Sequence, residues 1–300
     1  MKLGRSLNVF FTVDRNFIIH FTVTLTSLLE NNKDLAVAVY VIHDLDDISI
    51  FNNVISFFNY KYSVKLNLVA IDKKIFNDLS ISNDLYYVTK AAYYRLLLAD
   101  IIPSNVTSGL YVDCDTIVTG SLKELVSLNF FDKENNEEYS LLAVADERGE
   151  NDIIRLSNLG ILTQMYFNSG VMFLNLKKWR LDNASRELMK TAGEYKNHLK
   201  WVDQDVLNIY FKHKCGRLSA GYNKFSAKKS SEMPLIIHFS GAIKPWHYYN
   251  NDPYKYLYWK YLNLTPFKNQ IFEKVTLKKV IIKHKEMLKK YLINHHLFIF

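Results

Sequence analysis

Apolar and polar segments alternate along the first half of the chain with the lengths of strands and helices. Short apolar runs rich in β-branched residues predict strands at 7–13, 35–42, 64–71 and 110–112. Between them, longer segments with helical spacing predict helices at 18–29, 48–59 and 91–99. Strands that alternate with helices are typical of an α/β fold with a mainly parallel sheet.

The second half is less regular and has no internal repeat. Apolar runs lie at 171–176 and 206–211, and the segment 181–195 predicts a helix. A short strand at 235–237 ends at His238. The segments of both halves are compatible with one folding unit.

Acidic residues stand where three of the predicted strands end. Asp14 follows the first strand, Asp113-Cys114-Asp115 follows the fourth, and Asp146 follows the apolar run 141–145. Parallel sheets bind ligands at the carboxyl ends of their strands. Side chains at i and i+2 point to the same side, about 6.6 Å apart at Cα, so both carboxylates could hold one hard divalent cation. The alternative is a strand-end turn with two solvated aspartates, but three acidic strand ends favour a shared polar cleft.

Composition limits the class of protein. The chain has 300 residues, and 49% of them are hydrophobic, enough for one large core or one domain with an appendage. Two cysteines predict no disulfide framework, and a reduced cytoplasmic setting is expected. No secretory signal is recognisable, and no run reaches the roughly 20 apolar residues that span a bilayer, so a soluble or peripheral protein is expected.

The positive charge is concentrated near the C-terminus. Residues 260–300 contain nine lysines and two glutamates, which accounts for most of the net charge of +8. The rest is near neutral, which argues against a nucleic-acid-binding surface. Residues 273–293 predict a basic amphipathic helix that could lie on an anionic membrane surface. The alternative is a helix docked on the domain with a solvated lysine face.

Three residues of the segment after strand 235–237 could complete a metal–diphosphate site. The imidazole of His238 can ligate a divalent metal together with aspartates. Gly241 allows close backbone approach, and Lys244 can neutralise a phosphate. Taken singly, His238 could equally be a surface or hydrogen-bonded histidine and Lys244 a solvated lysine.

Four motifs together resemble a known family. They are Asp113-Cys114-Asp115, Asn168-Ser169-Gly170, Asp203-Gln204-Asp205 and the segment from His238 to His247, in that order. The set resembles glycosyltransferase family 8, and within it the retaining α-galactosyl- and α-glucosyltransferases that build bacterial lipopolysaccharide or lipooligosaccharide. The resemblance runs from Asn8 to Trp246 and more loosely toward residue 290. It implies a GT-A fold, which is a Rossmann-like nucleotide-sugar-binding fold, a UDP-hexose donor, and Mn²⁺ with Mg²⁺ as the alternative.

Carried over residue by residue, the resemblance implies three groups of site residues. The metal ligands would be Asp113, Asp115 and His238. The nucleotide and diphosphate would be bound by Thr12, Asp14, Asn16, Arg95, Cys114, Gly241 and Lys244. The hexose pocket would be lined by Asp146, Asn168, Asp203 and Gln204, of which the last two would also be catalytic. The sequence departs from the family at Arg15, where a second acid often follows Asp14.

Each of these residues also has an ordinary structural interpretation. Asn168 could be a turn residue, Asp203 and Asp205 could be acids at a helix N-terminus, and Arg95 could be a solvated helix residue. Cys114 is expected to be a packed residue that points away from the site. Trp179 and Trp246 are expected to pack in the core rather than bind sugar.

The resemblance predicts a catalytic domain at 1–260 followed by a basic amphipathic region at 261–300. The implied enzyme moves galactose or glucose from a UDP-sugar to a lipopolysaccharide-type, lipid-linked acceptor at the inner face of the cytoplasmic membrane. Front-face attack is expected, because the neutral amide of Gln204 is a poor nucleophile. One alternative is a transferase that acts on a protein or on another envelope glycan. The other is a non-catalytic nucleotide-sugar-binding protein, against which the intact metal-site residues argue.

Overall fold

The computed structural model describes residues 6–79, 89–132, 136–273 and 276. Its strands, in chain order, are β1 (Leu7–Thr12), β2 (Val37–His43), β3 (Leu66–Ala70), β4 (Gly109–Val112), β5 (Thr116–Val118), β6 (Phe131–Asp132), β7 (Glu137–Glu138), β8 (Leu141–Ala145), β9 (Phe167–Leu174), β10 (Cys215–Arg217), β11 (Lys224–Phe225) and β12 (Ile236–His238). Its α-helices are α1 (Ile18–Glu30), α2 (Asn52–Tyr62), α3 (Leu98–Ile101), α4 (Glu150–Ser157), α5 (Leu176–Leu181), α6 (Ala184–Glu194), α7 (Val202–Tyr210) and α8 (Lys255–Leu262). Short 3₁₀ helices lie at Arg15–Phe17, Ile48–Phe51, Lys73–Phe76, Lys90–Leu97, Lys123–Ser127 and Ala220–Tyr222.

A seven-stranded sheet forms the centre of the protein, in the order β10-β8-β9-β4-β1-β2-β3. Each strand predicted in the first half is present, and β1, β2, β3 and β4 are mutually parallel where they pair. Along β1, Val9 and Phe11 belong to the core on one face and Phe10 to the core on the other. A strand that is buried on both faces is continuously apolar rather than alternating. The predicted α/β class with a mainly parallel sheet is confirmed.

Strand β9 runs antiparallel to both of its neighbours, β4 and β8. Val171 therefore pairs with Val112 at the carboxyl end of β4, and Phe167 pairs with Ala145 at the carboxyl end of β8. The first residues of β9 consequently lie at the sheet edge where the parallel strands end. This orientation brings the Asn168-Ser169-Gly170 motif beside the acidic strand ends.

A smaller sheet, in the order β11-β12-β5, carries His238 at the end of β12. Strand β12 is antiparallel to β5, with His238 opposite Thr116. The amide of Phe239 donates to the carbonyl of Asp115 at 3.0 Å. This pairing places His238 next to Asp115, although the two residues lie far apart in the sequence.

Helix α1 supports the loop between β4 and β5 through buried polar groups. The hydroxyl of Thr24 donates to the carbonyls of Cys114 and Thr116, both at 2.8 Å. The hydroxyl of Ser27 accepts the amide of Val118 at 2.9 Å. A buried backbone without such partners would cost free energy, so the polar residues of this otherwise apolar helix hold the aspartate loop in place.

Two tryptophans pack in the core, as the sequence predicts. Trp179 is fully buried and its indole N–H donates to the carbonyl of Ser140. Trp246 stacks on His20 with a ring separation of 3.4 Å, and Nδ1 of His20 lies 2.8 Å from the hydroxyl of Tyr258. Burial lowers the pKa of His20 to about 3, so this ring is neutral at physiological pH.

The helix predicted at 181–195 is confirmed as α6, which begins three residues later than predicted. Leu181 is instead the last residue of α5, and Asn183, between the two helices, adopts a left-handed backbone conformation with φ 50°. Asparagine is among the residues that tolerate this conformation.

The predicted boundary at residue 261 falls inside α8. Beyond it, Phe267 and Phe272 pack against a buried cluster that contains Trp246 and Tyr258. The predicted helix 273–293 lies outside the described residues apart from 273 and 276. In the parts of the chain described above, no helix has the length and apolar content required to cross a membrane.

Candidate active site

A cavity of ≈ 440 Å³ opens at the carboxyl edge of the central sheet. All the site residues predicted from the sequence line it, except Asn16. Asn16 is exposed and borders a neighbouring depression that Asp14 and Thr89 also line. The structure therefore brings the predicted metal, diphosphate and hexose groups into one cleft.

Asp113, Asp115 and His238 converge at one end of the cavity. Each offers one ligand atom, and these atoms lie within 4.8 Å of one another. Asp113 follows β4, Asp115 precedes β5 and His238 ends β12, so two sheets contribute to the group. Carboxylate oxygens suit hard divalent cations and imidazole is a common ligand of divalent transition metals, so this group can hold a divalent metal ion.

The environment of Asp115 fits a bound cation. Its Oδ1 is buried and makes no hydrogen bond of acceptable geometry within the described residues, although Nε2 of His238 lies 3.3 Å away. Its Oδ2 lies 2.5 Å from Nζ of Lys244. Burial alone would raise the pKa of Asp115, but Lys244 and His238 outweigh it and hold this pKa well below its usual range. The carboxylate is therefore charged, with one oxygen free to ligate a metal.

Gly170 allows two ligands to pack against bare backbone. A Cβ at this position would lie 2.3 Å from Cε1 of His238 and 2.8 Å from Oδ2 of Asp113. Both distances are too short for any side chain. The glycine of the Asn-Ser-Gly motif is thus required by the close approach of the proposed metal ligands.

Arg95 contacts both Asp113, a proposed metal ligand, and Asp203, a residue predicted to line the hexose pocket. Its guanidinium lies 2.9 Å from Oδ1 of Asp113 and 3.2 Å from Oδ2 of Asp203, and it donates to the carbonyl of Ser169 at 2.9 Å. It also stacks on the ring of Tyr111, 4.4 Å from the ring centre. Arg95 is 5% exposed, so its interpretation as a solvated helix residue is wrong.

A cluster of neutral amides lies at the other end of the cavity. Oε1 of Gln204 accepts from Nδ2 of Asn168 at 2.9 Å and from the amide of Ser169 at 3.1 Å. Nε2 of Gln204 donates to Oδ2 of Asp146 at 3.4 Å. These groups present both donors and acceptors, as binding of sugar hydroxyls requires.

Asp203 is buried next to this cluster and also lines the cavity. Its Oδ2 contacts Arg95 and accepts from the hydroxyl of Ser169 at 3.1 Å. Burial, only partly offset by Arg95, raises the pKa of Asp203 to about 6. A carboxyl group with this pKa changes protonation state close to physiological pH.

Asp205 has a structural task. It is fully buried, and its carboxylate accepts from the amides of Lys200 and Trp201, from Tyr166 and from Arg155. These contacts fix the start of α7. Val202, which follows Trp201 and begins the helix, has φ 50°, which is unusual for a β-branched side chain. The rigid turn that results presents Asp203 and Gln204 to the cavity.

The predicted nucleotide group lies around β1 and the loop after β12. Oγ1 of Thr12 lies 2.9 Å from the hydroxyl of Tyr111, and Asp14 accepts from the amides of Asn16 and Phe17 and from Thr89. Asp14 therefore caps the following 3₁₀ helix, as well as lining the cavity.

Two further members of this group are Gly241 and Cys114. Gly241 has φ 106°, a conformation that favours glycine. Cys114 is 6% exposed, and its Sγ lies 3.5 Å from the carbonyl of Thr12. This is the packed position that the sequence favoured. Burial raises the pKa of the Cys114 thiol well above its usual value, so it is not a thiolate ligand.

Several residues of the site carry no signal in the sequence. The hydroxyl of Tyr111 donates to Oδ1 of Asp113 at 2.8 Å, but in the sequence Tyr111 is one apolar strand residue among others. Asn223 contacts both His238 and Asn168, yet it belongs to none of the four motifs. Arg148 donates to the hydroxyl of Ser240 at 2.9 Å, and both residues line the cavity.

Comparison with known proteins agrees with this geometry. The profile of glycosyl transferase family 8 matches residues 8–250. The lipopolysaccharide 1,2-glucosyltransferase of Escherichia coli is 31% identical over 306 residues, which cover 95% of this chain and 85% of that protein. The lipopolysaccharide 1,3-galactosyltransferase of Salmonella typhimurium is 27% identical, over 82% of this chain and 74% of that protein.

A solved structure shows the same fold. The galactosyltransferase LgtC, in complex with donor and acceptor sugar analogues, superimposes with a TM-score of 0.76 over 91% of this chain and 98% of that one, at 20% identity. The predicted GT-A fold is confirmed by this likeness. The profile match and the relative at 31% identity show that the chain belongs to glycosyltransferase family 8.

Proposed function

We propose that the chain transfers a hexose, galactose or glucose, from a UDP-sugar to a lipopolysaccharide-type saccharide, with retention of configuration and dependence on Mn²⁺ or Mg²⁺. One observation carries the proposal. The start of β9 connects both ends of the cavity, because Gly170 packs against Asp113 and His238 while Asn168 belongs to the amide cluster. The diphosphate would lie at the first group and the hexose at the second.

The diphosphate end is built to stabilise a leaving group. A divalent cation bound by Asp113, Asp115 and His238 would act as a Lewis acid on the departing diphosphate. Lys244 adds a fixed positive charge at the same place, since its Nζ lies 2.5 Å from Asp115 and 2.9 Å from the carbonyl of Phe239. Arg95 holds Asp113 in position from the opposite side.

The hexose end argues against a covalent intermediate. Oε1 of Gln204 is neutral and already accepts two hydrogen bonds, and the buried Asp203 is paired with Arg95. We therefore favour front-face attack by the acceptor hydroxyl, with its proton passing to an oxygen of the leaving phosphate. Gln204 would stabilise the anomeric centre in an oxocarbenium-like transition state, and Asp203 would hold sugar hydroxyls.

The acceptor is proposed from the relatives. Both named relatives act on lipopolysaccharide, one as a glucosyltransferase and one as a galactosyltransferase. A lipid-linked acceptor would place the enzyme at the inner face of the cytoplasmic membrane, where the lysine-rich C-terminal region would contact anionic lipid.

Flotation with anionic liposomes tests the membrane contact. Full-length protein should float, and a chain ending at residue 273 should not. That end point retains Phe272, which packs on the domain. Equal flotation of both would reject the C-terminal region as the contact.

A donor screen tests the enzymatic function. UDP release should be followed with a panel of UDP-sugars and Mn²⁺, with and without a truncated lipopolysaccharide acceptor, and the product anomer should be determined by NMR. We expect turnover with UDP-galactose or UDP-glucose and an α-linked product. Asp115→Asn serves as the control and should lose metal-dependent UDP binding. UDP binding without turnover on any donor would instead identify a binding protein, and a β-linked product would refute retention.

A further inference from the structure

A chain of buried hydrogen bonds connects His238 to the hexose end of the cavity. Nδ1 of His238 lies 3.0 Å from Oδ1 of Asn223, and Nδ2 of Asn223 donates to Oδ1 of Asn168 at 2.9 Å. Nδ2 of Asn168 then donates to Oε1 of Gln204 at 2.9 Å. His238, Asn223 and Asn168 are 4%, 3% and 6% exposed, so water does not replace these contacts.

Two backbone amides determine which side-chain atoms donate and which accept in this series of hydrogen bonds. The amide of Gly170 donates to Oδ1 of Asn168 at 3.0 Å, and the amide of Ser169 donates to Oε1 of Gln204. A backbone N–H can only donate, so the atoms facing these amides must be the side-chain oxygens. A flipped Asn168 would direct its NH₂ group at the Gly170 amide and leave two buried donors facing each other.

The acceptor role of Asn168 in turn fixes the orientation of Asn223 and the protonated nitrogen of His238. Because Oδ1 of Asn168 accepts, Asn223 must turn its NH₂ group toward it and its oxygen toward His238. That oxygen can only accept, so Nδ1 of His238 must carry a proton. We infer that Asn223 is a positioning residue that keeps the neutral His238 ring in its Nδ1–H tautomer, with the Gly170 amide setting the orientation through Asn168.

The consequence concerns the nitrogen on the other side of the ring. In this tautomer Nε2 has its lone pair directed toward the metal site, 3.3 Å from Oδ1 of Asp115. Oδ1 of Asp115 makes no hydrogen bond of acceptable geometry within the described residues, so both atoms are available to a cation. The other tautomer would place an N–H against Asp115 and compete with a metal. Histidine ligands commonly donate their second N–H to a protein acceptor, and loss of that partner weakens metal binding about 10- to 100-fold.

This inference rests on the proposed metal-dependent function, but one measurement tests it without metal or substrate. In metal-free protein labelled with ¹⁵N-histidine, at a pH where the ring is neutral, long-range ¹H–¹⁵N spectra distinguish the tautomers. The signals of residue 238 are assigned by their absence in His238→Asn. We expect the proton on Nδ1, and a proton on Nε2 would overturn the inference.

A matched pair of variants tests the role of Asn223. Asn223→Ala should weaken Mn²⁺ binding about 10- to 100-fold, measured from the electron paramagnetic resonance signal of free Mn²⁺, and should shift residue 238 toward Nε2–H. Asn175→Ala is the control, since Asn175 is similarly buried, at 4% against 3% for Asn223, and its side chain bonds to Glu138 and Lys178, which do not line this cavity. Its Mn²⁺ affinity should equal that of the wild type.

The outcomes separate the inference from the proposed function. If folded Asn223→Ala binds Mn²⁺ as tightly as the wild type, the inference is wrong even when the wild type transfers sugar. If the wild type shows the Nδ1–H tautomer and binds Mn²⁺ but releases no UDP from any donor, the proposed function fails and the inference stands. If Asn223→Ala does not fold, the wild-type tautomer still decides.

Discussion

Lys244 and Asp115 form an ion pair at the bottom of the cavity, with Nζ 2.5 Å from Oδ2 and side chains only 9% and 11% exposed. The residue assigned to the diphosphate thus already neutralises a proposed metal ligand. Neither charge has ready access to water, so each charged group is stabilised mainly by its ion pair with the other. The pair connects the folding stability of the protein to the chemistry of its site.

Lys244→Met should destabilise the metal-free protein by about 3–5 kcal/mol, because it leaves a buried carboxylate without its cation. Saturating Mn²⁺ should restore part of this loss, since a bound ion replaces the missing charge. Urea denaturation with and without Mn²⁺ measures both effects. UDP affinity in Mn²⁺ should fall, as determined by calorimetry. The control is Lys190→Met, whose exposed pair with Glu194 at 3.7 Å is worth about 1 kcal/mol or less. An equal loss in both variants would contradict the prediction.

Gly170→Ala should abolish Mn²⁺-dependent UDP binding. The new Cβ would overlap His238 and crowd Asp113, so at least one ligand must move. The matched control is Gly193→Ala inside α6, where a Cβ meets nothing within 4 Å. That change should stabilise the fold by about 0.5–1 kcal/mol, because alanine has the higher helix propensity. Titrations of UDP with and without Mn²⁺ compare the two variants, and wild-type binding by Gly170→Ala would refute the close packing.

The folding stability should depend on pH through Asp203. Its pKa is about 6 in the folded protein and about 3.9 when unfolded, so between these values the folded state binds more protons and stability falls as pH rises. The full effect is about 3 kcal/mol. Asp203→Asn removes it, so this variant should gain stability relative to the wild type between pH 4 and pH 7. Urea titrations at several pH values measure this difference, and a constant difference would show that the Asp203 pKa is not raised.

Gln204→Ala should lower kcat about 100-fold without abolishing transfer, because it removes the polar group proposed to stabilise the anomeric centre. KM for the donor should change less than kcat. Gln270→Ala, an exposed position, should match the wild type. Steady-state UDP release measures all three proteins. A glycosyl-enzyme trapped on residue 204, detected by mass spectrometry, would replace front-face attack by a covalent relay.

Prediction from the sequence succeeded where local chemistry decides the structure. Apolar runs that end in acidic residues predicted the sheet and the polar cleft at the carboxyl ends of its strands. The four motifs predicted the family and the GT-A fold, which the comparisons confirm. The roles of the individual site residues stay predictions. The structure adds that they share one cavity, apart from Asn16, which lines the neighbouring depression.

Long-range pairing accounts for what the sequence did not reveal. A fully buried strand such as β9 has the same apolar pattern in either direction, so its antiparallel orientation had no signal. Asn223 precedes β11 and reaches His238 only because β11 pairs with β12. The start of α6 at Ala184 rather than at residue 181 depends on the conformation of Asn183, which composition does not determine.

The pairing of β12 with β5 also has a consequence for synthesis of the protein. A nascent chain can form most of the central sheet, including Asp113 at the end of β4, before residues 236–244 have left the ribosome. Until then Asp115 lacks both His238 and Lys244. A prematurely terminated product would therefore lack both the cation that pairs with Asp115 and the imidazole proposed as a metal ligand. Under the proposed function, unfinished copies of the protein would bind no sugar donor.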